Sequence, residues 1–269
     1  MRPGISSYTY TWAIGVPGCM PDKSLSAYGL IEKASEYGLK VVQIADNLPL
    51  EHFTEGEKEQ LYKYSVSKGI TLEMGGRGLT PGHTMECLLT AEKIGSSLLR
   101  MVTDFPGFEP EINEIISIIR DLLPEFVSRG IALAIENHDR LKARDFEKII
   151  TSVGSEFVGI CLDSVNSMGA GEGFDNVCDI LVPYTINLHV KDFTVCRQPH
   201  KMGFIIEGTP AGKGMLDIEE LAGKINAYGR CKTAILELWT PPEPSLNETI
   251  RKEETWVAES ITFLKKVLG

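Results

Sequence analysis

The chain has no long apolar run. Nothing in its 269 residues approaches the roughly 20 consecutive apolar positions that cross a bilayer, so a membrane is not expected as a partner. It also has no basic surplus. Lys and Arg number 27 against 37 Asp and Glu, a formal charge of −10. An acidic surface repels nucleic-acid phosphates, which argues against DNA or RNA as a partner. No Cys-x-x-Cys pair occurs. Cys19, Cys87, Cys161, Cys178, Cys196 and Cys231 are scattered, which excludes the paired-cysteine redox and zinc-ribbon patterns. They read as reduced thiols of a cytoplasmic protein. The opening Met1-Arg-Pro-Gly-Ile-Ser has no apolar signal-peptide core. Low-complexity stretches and linkers are absent too, so one domain spanning 1–269 is expected.

What is present is a rhythm. Short apolar runs occupy Gly4–Thr11, Val41–Ala45, Thr71–Met74, Leu98–Val102, Ile131–Ile135, Val158–Leu162, Thr185–Leu188 and Thr233–Leu236. Helix-period segments follow them, near Leu25–Tyr37, Gly56–Ser67, Thr84–Ile94, Glu111–Ser128, Arg144–Val153, Asp175–Leu181, Ile218–Tyr228 and Glu248–Val267. Ser245-Leu-Asn-Glu248 has capping-box spacing before the last helix. Gly38, Gly69, Gly95, Gly130 and Gly229 each follow a helical segment, where a left-handed cap favours glycine. Eight strand–helix repeats in this length predict an α/β fold, a single (β/α)8 TIM barrel. The stretch from Asp192 to Leu216 is a long connection, read as a functional lid over the barrel mouth.

Four successive strands end in a metal-type ligand. Ile131-Ala-Leu-Ala-Ile135 precedes Glu136, and Val158-Gly-Ile-Cys-Leu162 precedes Asp163. Tyr184-Thr-Ile-Asn-Leu188 precedes His189, and Thr233-Ala-Ile-Leu236 precedes Glu237. One acid at a strand end is usually a loop acceptor or a helix cap. Four ligands at equivalent positions converge on the C-terminal mouth of a parallel barrel, where such barrels do their chemistry. Three carboxylates and one imidazole make an oxygen-rich site for one divalent ion, Mn²⁺ or Mg²⁺ first, then Co²⁺ or Zn²⁺. Such an ion can hold vicinal oxygens of a small polyhydroxylated carbonyl substrate and polarise its carbonyl.

The segments Ala-Ile-Glu136-Asn-His, Cys-Leu-Asp163-Ser-Val-Asn, Leu-His189-Val-Lys-Asp and Leu-Glu237-Leu resemble the xylose isomerase-like TIM barrels over essentially the whole chain. That superfamily contains sugar isomerases, ketose 3-epimerases, inosose-processing enzymes and abasic-site endonucleases. The resemblance to the epimerases implies Glu136, Asp163, His189 and Glu237 as metal ligands, with Glu136 and Glu237 also the catalytic acid/base pair. The chain departs from the epimerases at two positions. Asn166 stands where they carry a substrate-binding histidine, and Val195 where they carry an arginine, with Arg197 nearby. The endonuclease branch needs more histidines than the five here, His52, His83, His138, His189 and His200.

Around the ligands, Trp12, His138, Asn166, Lys191 and Arg197 are candidate substrate contacts. Lys191 follows His189 by two residues and points to the same side. His200, Lys201 and Lys213 add positive charge to the long connection, suited to a substrate anion or simply to solvent. Trp12, beyond Tyr8 and Tyr10, is the better pocket wall. Gly169-Ala-Gly-Glu-Gly173 lacks dinucleotide-loop spacing, and Gly208–Gly214 lacks that of a phosphate loop. The expected activity is a metal-dependent isomerase or epimerase of a small keto sugar. The alternative is a lyase, a decarboxylase or dehydratase of a keto sugar acid on the same scaffold. A third reading is a sugar-binding barrel without catalysis. A homo-oligomer is compatible with all three.

Overall fold

Aliphatic and β-branched residues dominate the barrel strands, and nearly every strand position is buried, as strands covered on both faces require. The computed structural model describes residues 1–269. Its barrel strands are β1 (Arg2–Ser6), β2 (Val41–Ile44), β3 (Thr71–Arg77), β4 (Leu98–Val102), β5 (Ala132–Glu136), β6 (Val158–Asp163), β7 (Thr185–Val190) and β10 (Thr233–Leu236). They pair in parallel around a closed ring, β1-β10-β7-β6-β5-β4-β3-β2. The main helices are α2 (Ala27–Glu36), α3 (Glu55–Ser67), α4 (Pro81–Lys93), α5 (Ile112–Arg129), α6 (Ala143–Val153), α7 (Phe174–Leu181), α8 (Ile218–Asn226) and α9 (Leu246–Leu268). This is the expected (β/α)8 barrel. Its main core, including Leu30, Leu88, Ile119, Phe146 and Val257, lies between strands and helices.

Local chemistry sets the boundaries. Gly130 caps α5 at φ 66°, in the left-handed region, before the chain turns into β5. Ser245 accepts from Glu248 N, and its hydroxyl donates to the Glu248 carboxylate at 2.7 Å. No helix is long and apolar enough to cross a membrane.

One sequence expectation fails. The first strand was expected to run Gly4–Thr11, but it ends at Ser6. Ser6 and Thr9 then form a reciprocal cap that starts a 3₁₀ turn over Ser7–Tyr10, followed by the short helix α1 (Thr11–Ile14). The side-chain caps compete with the ladder and win at the barrel rim. The long connection after β7, expected as a lid, carries secondary structure of its own. Asp192–Arg197 (β8) and Phe204–Thr209 (β9) form an antiparallel hairpin outside the barrel. Asp192 ties down its return. Its carboxylate accepts from the backbone N–H groups of Phe193, Gly212, Gly214 and Leu216. A Cβ at Gly214 would collide with that carboxylate.

Candidate active site at the barrel mouth

The site begins below the mouth, in a polar layer inside the barrel. Gln43 on β2 donates from Nε2 to Glu73 Oε2 on β3 at 3.0 Å and to Asn187 Oδ1 on β7 at 3.1 Å. Thr233 on β10 donates to Glu73 Oε1 at 2.8 Å and accepts from Asn187 Nδ2 at 2.8 Å. Burial raises the pKa of Glu73. This accounting fixes which way the Gln43 amide points. Its oxygen is left facing His189 Nε2 at 2.7 Å. A carbonyl oxygen only accepts, so His189 carries its proton on Nε2 and turns the Nδ1 lone pair upward.

That lone pair faces the carboxylates. His189 Nδ1 lies 3.5 Å from Glu136 Oε2, 3.8 Å from Asp163 Oδ2 and 3.4 Å from Glu237 Oε1. All four residues are at most 3% exposed. Parallel register places them together, because Asp163 pairs with His189 and Ile235, two positions before Glu237, also pairs with His189. Each is held by a neighbour. Ser6 donates to Glu237 at 3.0 Å, Asn166 Nδ2 to Glu136 at 2.8 Å, and the N–H groups of Val165 and Asn166 to Asp163 Oδ1. Asn137 bridges strand ends by accepting from Asp163 N and donating to Asp163 O.

Two cations enter the cluster. Lys191 Nζ lies 2.7 Å from Asp163 Oδ2 and 2.9 Å from Glu237 Oε2. Arg100 Nε lies 3.0 Å from Glu136 Oε2, and its Nη1 lies 3.5 Å from Asp46. Burial alone would raise the Glu237 pKa, but the Lys191 and Arg100 cations pull it down. Burial alone would lower the Lys191 pKa, but Asp163, Glu237 and Glu136 hold it above the usual lysine range. Even so, Glu136 Oε2 and His189 Nδ1 are buried without an aligned hydrogen-bond donor, and Asp163 Oδ2 has only the Lys191 ammonium. Asp163, His189 and Glu237 offer ligand atoms within 4.8 Å of one another, and so do Glu136, Cys161 and His189. Adjacent unpartnered lone pairs of this hardness fit a divalent ion.

Above the cluster is a polar cavity of about 110 Å³, lined by Tyr8, Asp46, Arg77, Arg100, Val102, Glu136, His138, Asn166, Lys191 and Glu237. Tyr8 OH donates to Asp46 at 3.0 Å. Arg77 lies 3.0 Å from His138 Nε2 and 3.6 Å from Asp46. Of the sequence candidates, the structure therefore brings together Glu136, Asp163, His189, Glu237, His138, Asn166 and Lys191. It leaves out two. Trp12 is turned away by α1, where its indole donates to Thr240 O at 2.8 Å and its N–H to Glu253 at 2.9 Å. Arg197 is exposed on the hairpin, over the Phe204 ring. His200 and Lys201 lie at the exposed hairpin tip, and Lys213 pairs with Glu259 at 2.8 Å.

Sequence reasoning missed Arg100, Asp46, Arg77, Gln43 and Glu73. A signal existed for three of them. Gln43, Glu73 and Arg100 each interrupt an otherwise apolar strand run, and a polar residue there must face a partner.

The chain belongs to the xylose isomerase-like TIM barrel family, whose sequence profile matches residues 31–267. Among characterised relatives, it is 32% identical to a 3-oxo-isoapionate decarboxylase from Pectobacterium atrosepticum, over 98% of this chain and 95% of that protein. Among solved structures, it is similar in fold to D-psicose 3-epimerase from Clostridium cellulolyticum H10 (TM-score 0.73, 14% identity, 100% of this chain and 99% of that one). It is likewise similar to a xylose isomerase-like TIM barrel protein from Mycobacterium smegmatis in complex with magnesium (TM-score 0.70, 14% identity, 98% and 97%).

Proposed function

We propose that this protein is a divalent-metal-dependent lyase that decarboxylates a keto sugar acid at the barrel mouth. The charge balance of the cavity carries the reading. Asp46, Glu136, Asp163 and Glu237 supply four carboxylates there, and Arg77, Arg100 and Lys191 supply three cations. A bound dication turns that single negative excess into a single positive one, which suits a monoanionic substrate better than a neutral sugar. The relative named above acts, by its name, on an acid anion that carries a keto group.

Glu136, Asp163, His189 and Glu237 would hold the ion, with Glu136 Oε2 and His189 Nδ1 the atoms that lack a donor. Bound there, the ion would supply Lewis-acid polarisation of the substrate carbonyl. The protein's residues do the rest. Arg77 and His138, at the outer wall, orient the anion and hydroxyl groups. The bond from the carboxyl carbon to the adjacent carbon breaks and CO₂ leaves. The electron pair moves toward the keto oxygen, and the carbon then takes up a proton. Glu237, paired with the Lys191 ammonium at 2.9 Å, is held ionised and makes a poor acid. Lys191 is the better donor. Its ammonium is held charged by Asp163 and Glu237, and an ammonium relieved of those two charges gives up its proton more readily.

A second reading, isomerisation or epimerisation of a neutral keto sugar, has one specific observation behind it. Glu136 and Glu237 line the same cavity from β5 and from the end of β10, so one could remove a proton and the other return it. Product mass separates the two. The Mn²⁺-loaded protein is incubated in D₂O with 3-keto sugar acids and with keto sugars. Decarboxylation yields CO₂ and a product one carbon shorter, with deuterium at the new C–H. Unchanged carbon count with deuterium exchange would replace the lyase with the isomerase.

A further inference from the structure

A second group of metal-type ligands lies outside the barrel, between β3 and α4. His83 and Cys87 are one turn apart on α4 and share its inner face. Cys87 Sγ stands 3.6 Å from His83 Nε2. Two ligands of one tetrahedral zinc ion, with the usual Zn–S and Zn–N lengths, stand about 3.5 Å apart. Glu51, in the turn Leu50–His52 that follows β2, brings a third ligand, and the three ligand atoms lie within 4.8 Å of one another. Glu51 Oε2 is buried and has no hydrogen-bond partner. Cys87 is fully buried, and Gly76 leaves room for its sulfur, since a Cβ there would stand 2.9 Å from Sγ. Nothing in the barrel-mouth chemistry uses these groups.

We propose that Glu51, His83 and Cys87 form a zinc site, distinct from the barrel mouth, that clips the segment after β2 to α4. A thiolate with an imidazole selects zinc over magnesium or calcium, and water completes the fourth position. Burial, with Glu51, Glu86 and Asp46 nearby, pushes the free Cys87 thiol up to about 12. Zinc must therefore displace the thiol proton to solvent as the Zn–S bond forms, and its binding strengthens as pH rises. The clipped segment carries Asp46, which holds Tyr8 and Arg100 in the mouth. The clip thus steadies one wall of the cavity without touching substrate.

Co²⁺ is the probe, added to the full chain after metal is stripped. Thiolate-bound Co²⁺ gives a near-ultraviolet charge-transfer band, and carboxylate–imidazole sites do not. The band is expected in the parent and in Cys161→Ser, which alters the only cysteine beside the mouth cluster. It should vanish in Cys87→Ser and on adding Zn²⁺. His83→Ala, with a ring already 30% exposed, should retain the fold and bind Co²⁺ at least about tenfold more weakly, since even outer-shell changes cost that much. No band in the parent, a band retained in Cys87→Ser, or a band lost in Cys161→Ser instead would overturn the site. If Cys87→Ser does not fold, an unchanged Co²⁺ affinity in His83→Ala, titrated by the charge-transfer band, overturns it.

Discussion

Gln43→Leu tests the whole logic of the mouth from beneath. The substitution conserves bulk and removes three hydrogen bonds, to His189, Glu73 and Asn187. Glu73 keeps Thr233 at 2.8 Å and Asn187 at 3.4 Å, so it stays partly satisfied. His189 is 0% exposed, and its Nε2–H loses its only acceptor. An orphaned buried donor costs about 1–3 kcal/mol, and the two amide donors lost with it bring the expected fall in folding stability to about 2–4 kcal/mol. The second effect is on the ligand itself. Without the acceptor, the proton no longer has a reason to stay on Nε2, and the Nδ1 tautomer blocks the lone pair that faces Glu136, Asp163 and Glu237. Losing such an outer partner weakens metal binding about 10–100-fold. Urea unfolding would read the first effect and Mn²⁺ calorimetry the second, with ¹⁵N shifts of His189 reporting the tautomer. A folded Gln43→Leu protein that binds Mn²⁺ within about twofold of the parent would refute the reasoning, because His189 would then be neither oriented by Gln43 nor needed as a ligand.

Mn²⁺ at a hundred times its dissociation constant should stabilise the protein by about 2.7 kcal/mol, a rise of roughly 5 °C or more in Tm for a chain of this size; an unchanged melting curve after chelation and reloading would remove the metal from the mouth. With Lys191 as the proton donor, Glu136→Gln and Glu237→Gln should each weaken Mn²⁺ binding yet keep most of their turnover at saturating metal; a loss of about a hundredfold or more in both, the scale of a removed acid or base, would favour the isomerase reading. Lys191→Met should tighten metal binding, because it removes the ammonium that competes for Asp163 and Glu237, while lowering turnover; equal metal affinity by calorimetry contradicts the competition. Burial raises the pKa of Glu253 to about 7, against accepted bonds from Trp12 and Ala13 N–H groups. A raised carboxyl pKa means that the folded state holds the proton more tightly. Its stabilising contribution is therefore full below about pH 4.5 and fades as pH rises through 7. Thermal melts of the metal-free protein should lose that increment over this window, and Glu253→Gln melts should lack it.

The repeat of apolar run and helical segment was readable because it follows from backbone periodicity alone. So was the convergence of Glu136, Asp163, His189 and Glu237, because the strands of a parallel barrel put their C-terminal ends at one mouth. The 3₁₀ turn after Ser6 was not readable. Tyr8-Thr-Tyr-Thr-Trp12 has strand composition, and only the Ser6–Thr9 cap at the barrel rim breaks the ladder. That break is why Tyr8 lines the cavity and Trp12 does not. The hairpin at Asp192–Thr209 was hidden because its alternation is weak and its turn lacks a two-residue Asn-Gly or Asp-Gly signal.

By itself, then, the sequence determined the barrel and the carboxylate–imidazole ring, since both depend on local period and on strand order. The tertiary structure alone decided what surrounds that ring. Arg100 reaches Glu136 from the neighbouring strand, Gln43 reaches His189 from across the barrel, and Asp46 meets Tyr8 between two rim segments. Partners separated by 36, 146 and 38 positions have no spacing to read. They are selected by closure of the sheet, which brings distant strands face to face and leaves each buried charge to find its counterpart there.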